Sequence, residues 1–342
     1  ALLGDEVHYT PLFTEGQIDE FKRTGGTDWQ DEVFRNALGN EIQVGVSGGG
    51  EKSTYLISGN YLGQDGIILN SNFKRYSARS NLNAQLSDRL SARLNILGTR
   101  RENLNTGGTG ARGGVLGQAL AWAPTTPVRD EEGEYILSDP VSSIFANPVA
   151  IANESEYLSI NTIGNFVGGL TFVFLPGLTL DVQGGVNYQF GQSKSFQGVP
   201  ATRNFANAGR STSENITWQN TNSLSFNRTF AEHHALDIVA VLELQKFTGS
   251  GYNVNVSNLT YPSQKYDNLA LSASSNIGSG YGNWSLLSQV GRINYGYAKK
   301  YLVSAAVRRD GSSKFQGKNR YGVFPSFSLG WNIAEERFMQ GV

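Results

Sequence analysis

Residues 301–338 read YLVSAAVRRDGSSKFQGKNRYGVFPSFSLGWNIAEERF. From Val323 every second residue is apolar: Val323, Pro325, Phe327, Leu329, Trp331 and Ile333. Between them stand Ser326, Ser328, Gly330 and Asn332. Upstream, Tyr301, Val303, Ala305 and Val307 keep the same spacing, and the polar, glycine-punctuated RRDGSSKFQGKNR joins the two runs. A period of two puts all the apolar side chains on one face of a strand. The fold therefore turns on what that face meets, a protein core or a lipid.

The same alternation recurs upstream, in about eleven strand candidates. The cleanest places Leu178, Leu180, Val182, Val186, Tyr188 and Phe190 opposite Thr179, Asp181, Gln183, Asn187 and Gln189. Others run through Ile42–Val46, Tyr55–Tyr61, Tyr76–Leu86, Leu90–Ile96, Leu158–Phe174, Ile216–Phe226, Leu236–Leu244 and Ile293–Tyr297. Their connections alternate in length. Short links fall at 47–53, 87–88, 175–177, 231–234 and 298–300; long ones run about 63–72, 103–156, 193–214, 248–283 and 310–321. A soluble sandwich has no reason to sort its loops, whereas an outer-membrane barrel keeps periplasmic turns short and extracellular loops long. Several strands also exceed the ~5–6 residues usual in globular proteins.

In a sandwich the apolar face packs inward; in a membrane barrel it meets lipid and the polar face lines the lumen. The polar set (Arg75, Arg79, Arg93, Asp181, Gln183, Glu243, Arg292 and Asn294) suits a wet lumen or a plug. Tyr297, Tyr301, Trp331 and Phe338 stand near strand ends, where an aromatic girdle belongs. The expected fold is all-β, an antiparallel transmembrane barrel segment. Residues 1–40 are expected to form an extracellular loop entering an early strand, and 41–342 the barrel strands.

Bulk composition agrees. Charged residues are 17% of 342, glycines number 41, and the formal net charge is −1. No global field favours nucleic acid. The absence of cysteine excludes disulfides and thiolate metal sites. The uncharged run 157–180 is broken by Asn161, Asn165, glycines and Pro176, so it does not read as a membrane helix. The opening ALLGDEVHYT has neither an initiator Met nor a signal-peptide pattern, and marks the chain as a piece or processed form.

Motifs for chemistry are few. A G-x-G-x-x-G at Gly108, Gly110 and Gly113 follows an alternating strand without a βαβ series, so it reads as a loop entering a short helix. His8, His233 and His234 offer no metal-ligand spacing, and no nucleophile–base set emerges. Neither an enzyme nor a cofactor is expected. Acidic loop residues Asp65, Asp130, Glu131, Glu132, Glu134 and Asp139 lack EF-hand spacing. Loop aromatics are the remaining candidates for ligand contact: Trp122, Tyr135, Tyr252, Tyr261, Tyr266, Tyr281 and Trp284. Their flat faces stack on sugar rings or peptide side chains, or on neighbouring loops.

Three ordered segments carry a resemblance. The closing stretch, GTDWQDEVFR (Gly26–Arg35) and VSGGGEKSTYLISGNYLGQDGIILNSNFKRYSARSNL (Val46–Leu82) resemble the SusC/RagA-like family of TonB-dependent outer-membrane transporters. The resemblance implies a barrel of about 22 strands, of which this chain holds about half, without the family's plug or TonB-binding segment. It further implies import of oligosaccharides or oligopeptides across the outer membrane of a Bacteroidota-like Gram-negative cell. The implied partners are a SusD-like surface lipoprotein and the TonB–ExbB–ExbD system. A passive porin or adhesin barrel, or a soluble β-rich glycan-binding protein, are the alternative classes.

Overall fold

The computed structural model describes residues 11–107, 114–139, 141 and 146–339. Eleven strands follow one another: β1 Gly39–Gly49, β2 Ser53–Asp65, β3 Asn72–Ser87, β4 Leu90–Asn105, β5 Ser155–Leu175, β6 Leu178–Gln197, β7 Asn207–Phe230, β8 His234–Leu259, β9 Ser272–Tyr297, β10 Tyr301–Ser312 and β11 Tyr321–Trp331. They form one sheet in chain order, each antiparallel to its neighbours. β1 and β11 each keep one edge unpaired among the described residues. No described helix is long and apolar enough to cross a membrane.

Register decides the faces, because residues directly opposite in a ladder point the same way. One row runs Phe166↔Val186↔Trp218, and another Ile238↔Ile293↔Ala305↔Phe327. Following such rows across the sheet gathers most of the alternating apolar residues on one side. The eight polar residues from Arg75 to Asn294 all fall on the other. No second layer covers the apolar side: Val44 is 70% exposed, Phe327 67% and Leu329 72%. An uncovered oily face of this extent is untenable in water. It fits the lipid side of a transmembrane barrel, where the polar face lines the lumen.

Turns keep the sorted lengths. Hairpin links at 50–52, 88–89, 176–177, 231–233 and 298–300 are tight, while 66–71, 106–154, 198–206, 260–271 and 313–320 are longer. At Gly177 φ is +91°, and a Cβ there would lie 2.2 Å from the Asn227 carbonyl oxygen, so only glycine fits. Two long links are shorter than the sequence suggests. The Ser/Gly/Asn-rich stretches assigned to loops at 193–214 and 248–283 are largely strand, since ladder pairs such as Asn253↔Gly278 and Val254↔Ile277 persist beyond the apolar band.

A small conventional core sits where the long links gather. It joins α2 (Trp29–Val33), α3 (Val115–Ala119), α4 (Pro148–Glu154) and α5 (Val199–Thr202). The expected loop at 1–40 thus contains helix, including α1 (Glu15–Thr24). In GTDWQDEVFR, the Asp28 carboxylate accepts from Gln30 and Asp31 N–H to start α2. That cap aims Trp29 inward, edge-on to Trp122 at 5.1 Å, with its Nε1–H donating to the Ala123 carbonyl at 3.0 Å.

Candidate functional site

The polar face is the surface a solute would meet. Its charges occur mainly as neutralised pairs. The Arg93 guanidinium donates to both Asp181 carboxylate oxygens, at 2.7 and 2.8 Å, and to Gln183 at 3.0 Å. Thr171 completes the knot by donating to Asp181 at 2.6 Å. Arg75 lies 3.4 Å from Glu41, Arg292 3.5 Å from Asp237, and Arg308 2.7 Å from Asp310. The two-pronged Arg93 contact is of the stronger, charge-assisted kind.

Between these pairs runs a band of neutral amides and hydroxyls. Asn165, Gln183, Asn187, Thr217, Gln219 and Gln245 line one shallow concavity of about 320 Å³. Asn187 donates to Asn165, and Gln219 to Glu243 at 3.2 Å. Hydrogen-bonding groups of both kinds, with no dominant charge sign, can hold hydroxyl-rich or peptide-like solutes. Further from the 231–233 turn, Phe247 and Trp284 sit opposite each other on this face. Their rings stack at 5.5 Å and 13°, and Lys314 Nζ lies 5.5 Å from the Trp284 ring.

The seven loop aromatics separate into different roles. Trp284 alone joins the polar face, and it lies within β9. Tyr252 and Tyr281, also in strands, fall on the opposite face beyond the apolar band, at 54% and 71% exposure. Tyr261 is exposed in the β8–β9 link. Trp122 is only 3% exposed and belongs to the core with Trp29, out of reach of a ligand. The Tyr135 ring stacks under Arg129 at 3.8 Å, and its hydroxyl accepts from Asn153.

Tyr266 fastens the β8–β9 link down. Its hydroxyl donates to Glu156, whose other oxygen takes Lys265 at 2.7 Å, and Lys194 lies over its ring. Burial, reinforced by the neighbouring Glu156 carboxylate, pushes the Tyr266 hydroxyl up to about 12. Phe247 escapes a loop-based search because it lies inside a strand. Its signal is an aromatic on the polar side of the alternation, opposite Trp284.

Other motifs resolve plainly. Gly108, Gly110, Gly113 and His8 lie outside the described residues. His234 stacks on Phe230 and places Nδ1 2.6 Å from the Tyr295 hydroxyl. Asp139 accepts from the backbone N–H groups of Ala123 and Val141, and Asp130 from that of Glu134. Among the described residues no cluster of acidic or histidine side chains could hold a metal.

A single antiparallel layer, apolar on one side and hydrogen-bonded on the other, is the wall of an outer-membrane β-barrel. No protein-family model matches the chain. Relatives do. It is 33% identical to TonB-dependent receptor P3 of Formosa agariphila, over 97% of this chain and 34% of the relative. It is 30% identical to the TonB-dependent receptor SusC of Bacteroides thetaiotaomicron, over the whole chain and 36% of that protein. The solved RagAB peptide transporter superposes with a TM-score of 0.72 at 23% identity, over 92% of this chain and 36% of that one, and so shares the fold. The chain belongs to the SusC/RagA-like family of TonB-dependent receptors. It spans about a third of the length of the relatives it matches.

Proposed function

We propose that the chain is part of an energised outer-membrane importer for oligosaccharides or oligopeptides. The observation that carries the reading is the polar wall itself. Its charges are mainly paired, its amides are spread between them, and the face behind it suits lipid. In this reading the tight turns face the periplasm and the long links, with their helical core, stand outside the cell. Phe247 and Trp284 offer passing solutes an aromatic surface. A SusD-like surface lipoprotein delivers the solute, and TonB–ExbB–ExbD supplies the energy; names among the relatives support both partners. Formosa and Bacteroides relatives support a Bacteroidota source.

The test is uptake of labelled oligosaccharide and oligopeptide pools by cells with and without the gene, each with TonB intact or removed. Uptake lost in both deletions supports the reading; uptake indifferent to TonB means a passive barrel. Orientation is checked separately. A cysteine at Ser313, in the β10–β11 link, should react with an impermeant maleimide on intact cells. One at Glu232, in a tight turn, should not.

A further inference from the structure

The lipid-side face is not uniform. Across β7–β11 it carries a groove of about 660 Å³. Ala240 and Gly291, directly opposite in the ladder, form its floor. Leu224, Leu242 and Val307 form its sides. The groove is open above Gly291: a Cβ there would meet only Val307 Cγ1, at 3.9 Å. The small pair leaves a depression between the larger Leu224, Leu242 and Val307.

One end of the groove is cationic. Arg309 lines it, donating to Gln289 at 3.1 Å and lying 4.1 Å from the Tyr321 ring centroid, with no carboxylate as partner. Lys246 stands on the same face, two same-side positions beyond Leu242, and has no ion pair among the described residues. Glu243 and Asp310 project to the polar side. From the row that ties His234, Tyr297 and Tyr301, no carboxylate shares the lipid-side face of β7–β11 as far as Lys246.

Height places these cations. Arg309 is eight residues along β10 from Tyr301, and Lys246 twelve along β8 from His234. At ~3.3 Å per residue and a ~40° tilt they stand roughly 20 and 30 Å above that row. An apolar band is ~25 Å tall, so the two bracket the far interface. Tyr295, Tyr297, Tyr301 and Trp331 mark the near one.

We propose that this groove binds a phosphorylated, multiply acylated glycolipid of the outer leaflet. An acyl chain lies over Ala240 and Gly291, and headgroup phosphates meet Arg309 at the groove and Lys246 beyond it. Shape supplies the chain site and unpaired charge the phosphate site. Neither cation has a protein carboxylate to give up. The proposal rests on the orientation given above, which the Ser313 and Glu232 labelling reads independently.

The experiment is native mass spectrometry of the intact membrane protein in neutral detergent, titrated with bisphosphorylated lipid A, its dephosphorylated form, and phosphatidylglycerol. Lipid A should be retained over both others. Arg309→Gln with Lys246→Gln should weaken retention about thirtyfold, given ~1 kcal/mol per interfacial cation. Gly291→Leu or Ala240→Leu should weaken it comparably by filling the groove, with the unheated folded band on gels preserved as the check on folding. Equal retention by wild type and folded groove variants, or no preference for the phosphorylated lipid, would overturn the proposal. So would tighter retention of phosphatidylglycerol.

Discussion

The sheet and the helical cluster beside it handle apolar residues in opposite ways. In the cluster, Val33 and Ala152 are 0% exposed and Trp29 3%. In the sheet, Leu329 and Phe327 stand open, and buried apolar packing is limited to a small cluster around Phe196, Ala208, Val256 and Leu259 beyond the apolar band. The same side-chain types thus serve two solvents. The cluster is driven by removing apolar surface from water. The sheet needs its backbone groups paired in a ladder, and leaves its oily face to lipid.

The largest expected effect falls on the cluster. Trp29→Ala should cost it about 3–5 kcal/mol as a core truncation, read as faster proteolysis of the 114–154 link. Membrane insertion should be unchanged, since the wall does not use that core. Loss of insertion would erase the distinction between the two regions.

Next comes the wall. Val182→Arg should cost about 2–4 kcal/mol, the range for a cation at mid-bilayer on the lipid face. Gln245→Arg, on the polar side, should assemble normally. Heat-modifiability on gels after insertion reads both. Equal tolerance would mean that the two faces do not meet different media. Gln183 is a poorer control, because Arg93 already uses its side-chain oxygen.

Gly177→Ala should be smaller and local. The positive φ and the Asn227 carbonyl contact together predict about 1–3 kcal/mol, measured as a lower urea midpoint in detergent. A wild-type midpoint would show that the 176–177 turn relaxes freely.

The smallest effect is a pH dependence at the C-terminal end. Glu336 accepts from Lys300 at 2.8 Å, the Tyr301 hydroxyl at 2.8 Å and Trp331 Nε1 at 3.2 Å. These donors, Lys300 first, hold its carboxyl at about 2 against an ordinary 4.5. A depressed carboxyl stabilises the folded state above its unfolded pKa and loses that contribution as pH falls through the folded one. Trp331 fluorescence should therefore be flat above pH 4.5 and change on descent toward 2. Glu336→Gln should abolish the change.

Much of the wall is legible in the sequence because alternation is a direct print of the pleat. Leu178–Phe190 and Val323–Trp331 need no tertiary information to show two faces. Legibility ends where the band ends. In TGSGYNVNVSNL (248–259) small polar residues outnumber apolar ones, and cross-strand pairing with Ser272–Asn283 carries the strand past the apolar band. Trp122 looked like a ligand aromatic because its partner Trp29 lies far away in the chain. Phe247 is not legible in the sequence because its relation to Trp284 exists only across the ladder. The groove is less visible still: Ala240 and Gly291 become a pair only through register.

The central claim is that one face of this sheet meets lipid and the other water. Single nitroxide labels at consecutive positions 182–187 of β6, in the reconstituted membrane protein, test it most directly. Collision with oxygen should peak at 182, 184 and 186, and collision with a water-soluble nickel chelate at 183, 185 and 187. Accessibility without that two-residue period, or with its phase reversed, would contradict the account.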